Sequence, residues 1–422
     1  SVEVFPEAVR LPQPDEVKAA PPRPPADASA PRKIMLIAGE PSGDLLAAEF
    51  VGALRTALAA REPDRPSPGF FGAGGPALRG AGAELALDLT QHAVIGLSDV
   101  LRKYLEFRRF FRLLLDLAAA RRPDALVCVD FGGFNRRFAA AVRKRSSATG
   151  WRPKLVQFVS PQVWASRPRR ARTLARDLDL LLAILPFEKA WYAERFPGLR
   201  VEFVGHPILD RHPDAAAHRS GPDRAGAAPL VLLLPGSRRG EIARHWPAVA
   251  GAVEAMARAR PDARFRAVLP REELVTQARA LAAPAVVEFA TGADALRAGL
   301  AGAAVALAST GTVTLECAVY GVPTVTFYRT SALTYAVGRR LVTVKSLTMP
   351  NLLAGEAVFP EFVQHEATAT DLADAALCLL DDPARRAAMR RKLSAVVAQL
   401  GGPGAAGRAA EAVADLLGGP PS

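Results

Sequence analysis

The sequence predicts two successive α/β domains, each a parallel sheet with helices on both faces. Three observations lead there. Short apolar runs that end at glycine or a small polar residue alternate with helical stretches. The alternation occurs twice, with a change of composition between residues 211 and 228. The chain has 422 residues, and at roughly 150 per domain that suggests two or three domains.

Residues 1–31, rich in Pro and Ala, read as a disordered tail. Order begins with an apolar run, Lys33 to Ala38, which stops at Gly39 as a buried strand meeting a loop. An Ala-rich helical pattern follows from about Gly43 to Ala60. Further strands are expected at 70–71, 125–129, 155–159, 180–185 and 201–204. His, Asp, Gly, Pro and Arg crowd the connection at 211–228. The second series of strands is expected at 230–234, 265–269, 286–289, 304–308 and 324–328. Helices are expected at about 243–260 and 311–320, and Ala-rich helices from 370 to 417. Two such halves make a cleft between them the default ligand site.

Lys plus Arg is 54 and Asp plus Glu is 42, a formal charge of +12. That excess predicts an anionic partner: nucleic acid, an acidic membrane surface or a phosphorylated substrate. No finger, RRM, KH or helix-turn-helix signature supports nucleic acid. Three separated cysteines (Cys128, Cys317, Cys378) without a CxxC pair argue against zinc or a disulfide framework. Neither a metal nor a cofactor is expected. The apolar runs are too short to span a bilayer, and no signal peptide is read at the N-terminus.

Five segments carry chemistry. Gly39-Glu40-Pro41-Ser42-Gly43-Asp44 lies where the first strand meets the first helix. It reads either as a plain turn capped by Ser42 or Asp44, or as a substrate loop, which the crowding of acids and hydroxyls favours. Gly236, Ser237 and Arg238 open a helix after the first strand of the second half. This reads either as a capped turn with solvated arginines or, since free amides beside arginines suit a diphosphate, as a phosphate loop, although neither a Walker loop nor GxGxxG is present. Ser309, Thr310, Gly311 and Thr312 form a small hydroxylated loop before another helix. Glu316, one turn into that helix among apolar neighbours, reads either as a capping residue or, as its apolar surroundings favour, as an acceptor for a ribose diol. Asp130 ends an apolar strand and is either a general base or the cap of the next helix. Finally, Tyr104, Phe107, Phe111 and Leu114 recur at helical spacing among Arg102, Lys103, Arg108, Arg109 and Arg112. This is either a core-facing helix or one that beds into an anionic membrane surface.

In this order the segments resemble the lipid-A-disaccharide synthases, a glycosyltransferase family. The matching pieces are GEPSGD (39–44), FFGAGGPAL (70–78), VIGLSDVL (94–101), VSPQVWA (159–165), LPFEKAWY (185–192), VGHPILD (204–210), LLPGSRRGEI (233–242), STGTVTLECA (309–318) and MPNLLAG (349–355). They span about 32–395. Local departures are Pro41, the Phe131-Gly132-Gly133 stretch and Ser166. The resemblance implies a GT-B fold: two facing Rossmann-like domains with a C-terminal helix returning to the first. The domains would be 32–210 for the acceptor and membrane and 229–395 for the UDP-sugar, with 396–422 as the returning helix and tail. It also implies that UDP-2,3-diacylglucosamine is joined to 2,3-diacylglucosamine 1-phosphate, with inversion, to give a β(1→6) disaccharide 1-phosphate and UDP. Arg329 and Asn351 match family motif positions and would complete the nucleotide site. The partners so implied are the two lipid substrates and the anionic inner leaflet, with no nucleic acid, and the chain is compatible with a homodimer. The place so implied is peripheral, on the cytoplasmic face of the inner membrane. The alternative is another GT-B enzyme of UDP-N-acetylglucosamine, a peptidoglycan-type transferase or an epimerase.

Overall fold

The computed structural model describes residues 30–90, 100–219, 228–331, 335, 344 and 346–418, without the side chains of 100–105. The expected tail lies almost wholly outside these residues. The chain divides into two compact units, 1–207 with 401–422, and 208–400.

In the first unit the chain runs β1 (Lys33–Ala38), α1 (Pro41–Arg61), β2 (Gly69–Gly74), α2 (Pro76–Gly80), β3 (Glu84–Asp88), α3 (Val100–Arg121), β4 (Ala125–Val129), α4 (Gly132–Thr149), β5 (Lys154–Phe158), β6 (Leu180–Ala183), α5 (Pro186–Arg195) and β7 (Val201–Phe203). The seven strands are parallel, in the order β3-β2-β1-β4-β5-β6-β7. Alternate side chains of β1 enter opposite cores. Ile34, Leu36 and Ala38 join the cluster under α1, and Met35 and Ile37 join the cluster under α3 and α4.

The second unit contains β8 (Leu230–Leu234), α6 (Arg239–Ala259), β9 (Arg264–Leu269), β10 (Val287–Thr291), β11 (Ala303–Ser309), α7 (Thr312–Tyr320), β12 (Thr324–Tyr328) and β13 (Glu361–Val363). Its parallel order is β10-β9-β8-β11-β12-β13. Gly321, at φ +69°, ends α7 in the left-handed conformation that glycine adopts without a Cβ clash.

Helix α8 (Ala405–Gly418) belongs to the first unit. Its Ala409, Ala410, Val413 and Ala414 are buried in the cluster with Phe50 and Leu54 of α1. Arg408 Nε donates to the Val204 carbonyl at 2.8 Å, and Arg61 of α1 pairs with Glu411 and Asp415.

Two strands have no counterpart in the sequence reading, β3 and β13. Both are short sheet edges, and β3 reads Glu-Leu-Ala-Leu-Asp, where Leu and Ala favour helix. Helix α1 begins at Pro41 rather than Gly43, because proline at its first position needs no donor. No helix among the described residues is long and apolar enough to cross a membrane.

Candidate functional site

The order of each sheet reverses direction beside its first strand, between β1 and β4 and between β8 and β11. Such switch points open a crevice at the carboxyl ends of the strands. Each unit carries its chemistry there.

In the first unit, the loop after β1 meets the loop after β4. A methyl group on Gly39 would lie 2.3 Å from a Phe131 ring carbon, and one on Gly43 would lie 3.4 Å from Asp130 Cβ. Two motifs far apart in sequence thus converge on Asp130. The turn there is strained: Asp130 and Phe131 have φ of +51° and +46°, and Val159 on the neighbouring strand end has +70°. Left-handed non-glycine residues cost about 1–3 kcal/mol each, and such strain clusters at functional sites. Amides bridge the turn. Asn135 Nδ2 and Gln157 Nε2 donate to the Asp130 carbonyl at 2.8 and 3.0 Å. Phe131, not Asp130, is the residue preceding α4, and no side chain caps that helix.

The expected substrate loop is only partly a loop. Gly39 and Glu40 precede α1, while Ser42 and Gly43 lie in its first turn. Asp44 is corrected outright. It is buried, and its carboxylate accepts from the backbone of Gly75 (2.7 Å), Ala77 (2.9 Å) and Leu78 (3.2 Å). It satisfies the first amides of α2, so its motif and the GAGGPAL segment are two halves of one structural contact.

The 99–117 segment is corrected in part. Leu114 is fully buried, and Phe111 packs against Phe134 and Phe138 at centroid distances of 5.5 Å. Phe107 contacts Phe110, Phe131 and Phe134. The aromatic face of α3 is therefore turned to its own unit, because apolar burial against α4 is available there. Arg108, Arg109 and Arg112 are exposed on the other face. The side chains of Tyr104, Arg102 and Lys103, and most of the VIGLSDVL segment, lie outside the described residues.

In the second unit, the ends of β8, β9, β10 and β11 line a cavity of about 490 Å³. Gly236, Ser237, Arg238, Ser309, Thr310, Gly311, Thr312 and Glu316 all line it. The cavity also holds Glu241, which the sequence reading passed over. Its carboxylate accepts from the amides of Ser237 (2.8 Å) and Arg238 (3.2 Å) and pairs with the Arg238 guanidinium at 3.3 Å. The amides expected to meet a diphosphate therefore hold an internal anion of the same sign. Gly236, at φ +130°, admits that contact: a Cβ there would meet Glu241 Oε2 at 2.7 Å. Glu316 is backed by His212, whose Nε2 lies 3.4 Å from Oε1 and whose Nδ1 lies 3.3 Å from the Tyr320 hydroxyl.

Arg329 and Asn351 do not line the cavity. The Arg329 backbone is held by His245, whose Nε2 accepts from the Arg329 amide at 3.0 Å while its Nδ1 meets the Pro235 carbonyl at 2.7 Å. Burial pushes His245 below its ordinary pKa, which keeps it neutral in this clamp. Asn351 is buried, and its amide is fully engaged by Phe359, Val358 and Glu361. Its side chain braces the 351–361 turn, with both amide hydrogens and the amide oxygen engaged there.

Several groups carried no signal in sequence. Gln157 sits within an apolar strand, and His212 within a segment read as a connection. Glu188 is buried on α5, accepting from Trp164 Nε1 (2.9 Å) and the Leu185 amide (3.1 Å), and desolvation pushes its carboxyl up to about 7. Among the described residues, no group of three or more His, Cys, Asp or Glu is gathered as a metal site.

Known proteins give the same fold and a family. A family model described as lipid-A-disaccharide synthetase matches residues 34–415. The lipid-A-disaccharide synthases of Geobacter sulfurreducens and Myxococcus xanthus are 35% and 37% identical, over 92% of this chain and 97% and 98% of theirs. That of Alkalilimnicola ehrlichii is 38% identical over 92% and 99%. Among solved structures, the calicheamicin glycosyltransferase CalG4 has a TM-score of 0.55 at 17% identity, over 92% of this chain and 98% of its own. Acinetobacter baumannii MurG scores 0.54 at 15%, over 92% and 99%. These structural likenesses carry the fold, which is α/β of the GT-B type.

Proposed function

The chain belongs to the lipid-A-disaccharide synthase family, and from that premise we propose how its residues carry the transfer. The protein is a glycosyltransferase of lipid A biosynthesis. It joins UDP-2,3-diacylglucosamine to 2,3-diacylglucosamine 1-phosphate and releases UDP. The observation that carries the residue assignment is the 490 Å³ cavity at the second switch point, where the 236–238 and 309–316 loops meet.

The UDP moiety occupies that cavity. The diphosphate lies against the 236–238 loop and the N-terminus of α7, with Arg238 supplying positive charge. It displaces the Glu241 carboxylate from the amides of Ser237 and Arg238. Glu316, held by His212, accepts from the ribose diol. Arg329 and Asn351 act through the backbone they shape. In the first unit, Asp130 removes the proton of the acceptor's 6-hydroxyl. That oxygen bonds to the anomeric carbon as the bond to the diphosphate breaks, and UDP leaves with the electron pair. One displacement inverts the α-linked donor to the β product. The exposed Arg108, Arg109 and Arg112 of α3 face the anionic inner leaflet, where both acylated substrates reside.

Mass spectrometry of the product, made from the two purified lipids, tests this reading. Wild type should yield the disaccharide 1-phosphate. Asp130→Asn should lower turnover about 10²–10⁴-fold, the range for loss of a general base. Near-wild-type turnover would remove Asp130 from that role.

A further inference from the structure

We propose that Gln157 and Asn135 are a positioning pair that aims Asp130, an inference that rests on the reading of Asp130 as the base. Both are buried polar side chains, at 1% and 0% exposure, Gln157 between Val156 and Phe158 on β5 and Asn135 in the first turn of α4. Gln157 is on β5, where a polar residue needs a reason. Its single amide nitrogen meets three carbonyls: Asp130 at 3.0 Å, Phe158 at 3.3 Å and Val159 at 3.1 Å. Asn135 Nδ2 meets Asp130 at 2.8 Å and Val129 at 3.3 Å.

The acceptors are the strand ends that carry the left-handed residues Asp130, Phe131 and Val159. Those conformations bring the Asp130 and Val159 carbonyls to the two buried amides, and a buried carbonyl without a partner is costly. The two amides satisfy them. They thereby fix the backbone from which the Asp130 side chain departs, and the Asp130 amide is tied at 2.8 Å to the Phe158 carbonyl. The cost is visible: Asn135 Oδ1 is buried with no hydrogen-bond partner. An orphaned acceptor beside three strained residues marks a turn held for its geometry rather than for stability.

The test uses the full-length enzyme and two substitutions. Gln157→Met keeps the length and removes both N–H groups. A misplacement near 1 Å costs on the order of 10²-fold, so kcat should fall by about that factor at every pH. KM for the UDP donor should stay within about twofold, because the nucleotide cavity is in the other unit. Gln157→Glu should show a similar loss near pH 8 and recover relative to wild type near pH 6, as the carboxyl regains a proton to donate. Combining Gln157→Met with Asp130→Asn should lose no more than Asp130→Asn alone. Wild-type turnover in Gln157→Met, or additive losses in the double variant, overturns the proposal. If Asp130→Asn alone keeps its turnover, the base reading fails instead, and the two failures are distinguishable. Should Gln157→Met not fold, Asn135→Ser supplies the same comparison in kcat and in the double variant.

Discussion

Asp44 and Glu241 are both acids in glycine-rich motifs, and both turn their carboxylates on backbone amides. For Asp44 those amides open α2, and its removal leaves two buried donors and one half-buried donor unmet. Asp44→Ala should therefore destabilise the first unit by about 1–3 kcal/mol, read as a lower midpoint of chemical unfolding. Glu241 differs because its partners face a cavity. Arg238→Ala should weaken UDP binding about ten- to a hundredfold in calorimetry, the range for a hydrogen bond to a charged group. Unchanged affinity would take Arg238 out of the site. Glu188 gives a pH-dependent case. Its carboxyl sits at about 7 in the folded protein, against 4.5 for the ordinary group. A raised acid pKa means the stability is fully present below pH 4.5 and is lost as pH rises through 7. The stability difference between wild type and Glu188→Gln should shift in favour of the variant between pH 5 and pH 8. A flat difference across that range would contradict the burial of an ionisable group there.

Helix α3 shows how an element can satisfy two patterns at once. The aromatic spacing and the density of arginine are both legible in sequence, and each suggested a role. The structure separates them by face. Phe110, Leu114, Leu117 and Ala118 are buried, while Arg108, Arg109 and Arg112 are exposed. The two faces predict different experiments. Leu114→Ser should lower the thermal midpoint through a polar group in the core. Replacing Arg108, Arg109 and Arg112 by Ser should leave folding intact and reduce cosedimentation with anionic vesicles, more at low salt than at high. Equal binding by that variant would detach the helix from the membrane role. The same separation explains the missed edge strands. β3 buries Leu85, Ala86 and Leu87 although Leu and Ala favour helix, and β13 has only three residues, so both became strands because a neighbouring strand offers a ladder.

At the scale of the whole molecule, the last helix is the clearest case of a fold set by distance in sequence. α8 follows the second unit in the chain but fills the core of the first, with Ala409, Ala410 and Val413 against α1. Ending the chain at Leu400 should lower the unfolding temperature of the first unit selectively, splitting the calorimetric transition. The sequence by itself determined the alternation of strand and helix, the two parallel sheets, and the glycine-bounded loops at strand ends, because these follow from local periodicity and backbone sterics. It also marked the 236–238 and 309–312 loops as small-residue turns that open helices, because such residues permit a tight turn there. Tertiary structure alone decided what each polar side chain meets. Asp44 is closed off by amides 31 to 34 residues away. Gln157, unremarkable in an apolar strand, reaches Asp130 across 27 residues. Periodicity records which way a side chain points from its own element. Only the sheet order, which places β1, β4 and β5 side by side, brings partners within hydrogen-bonding distance.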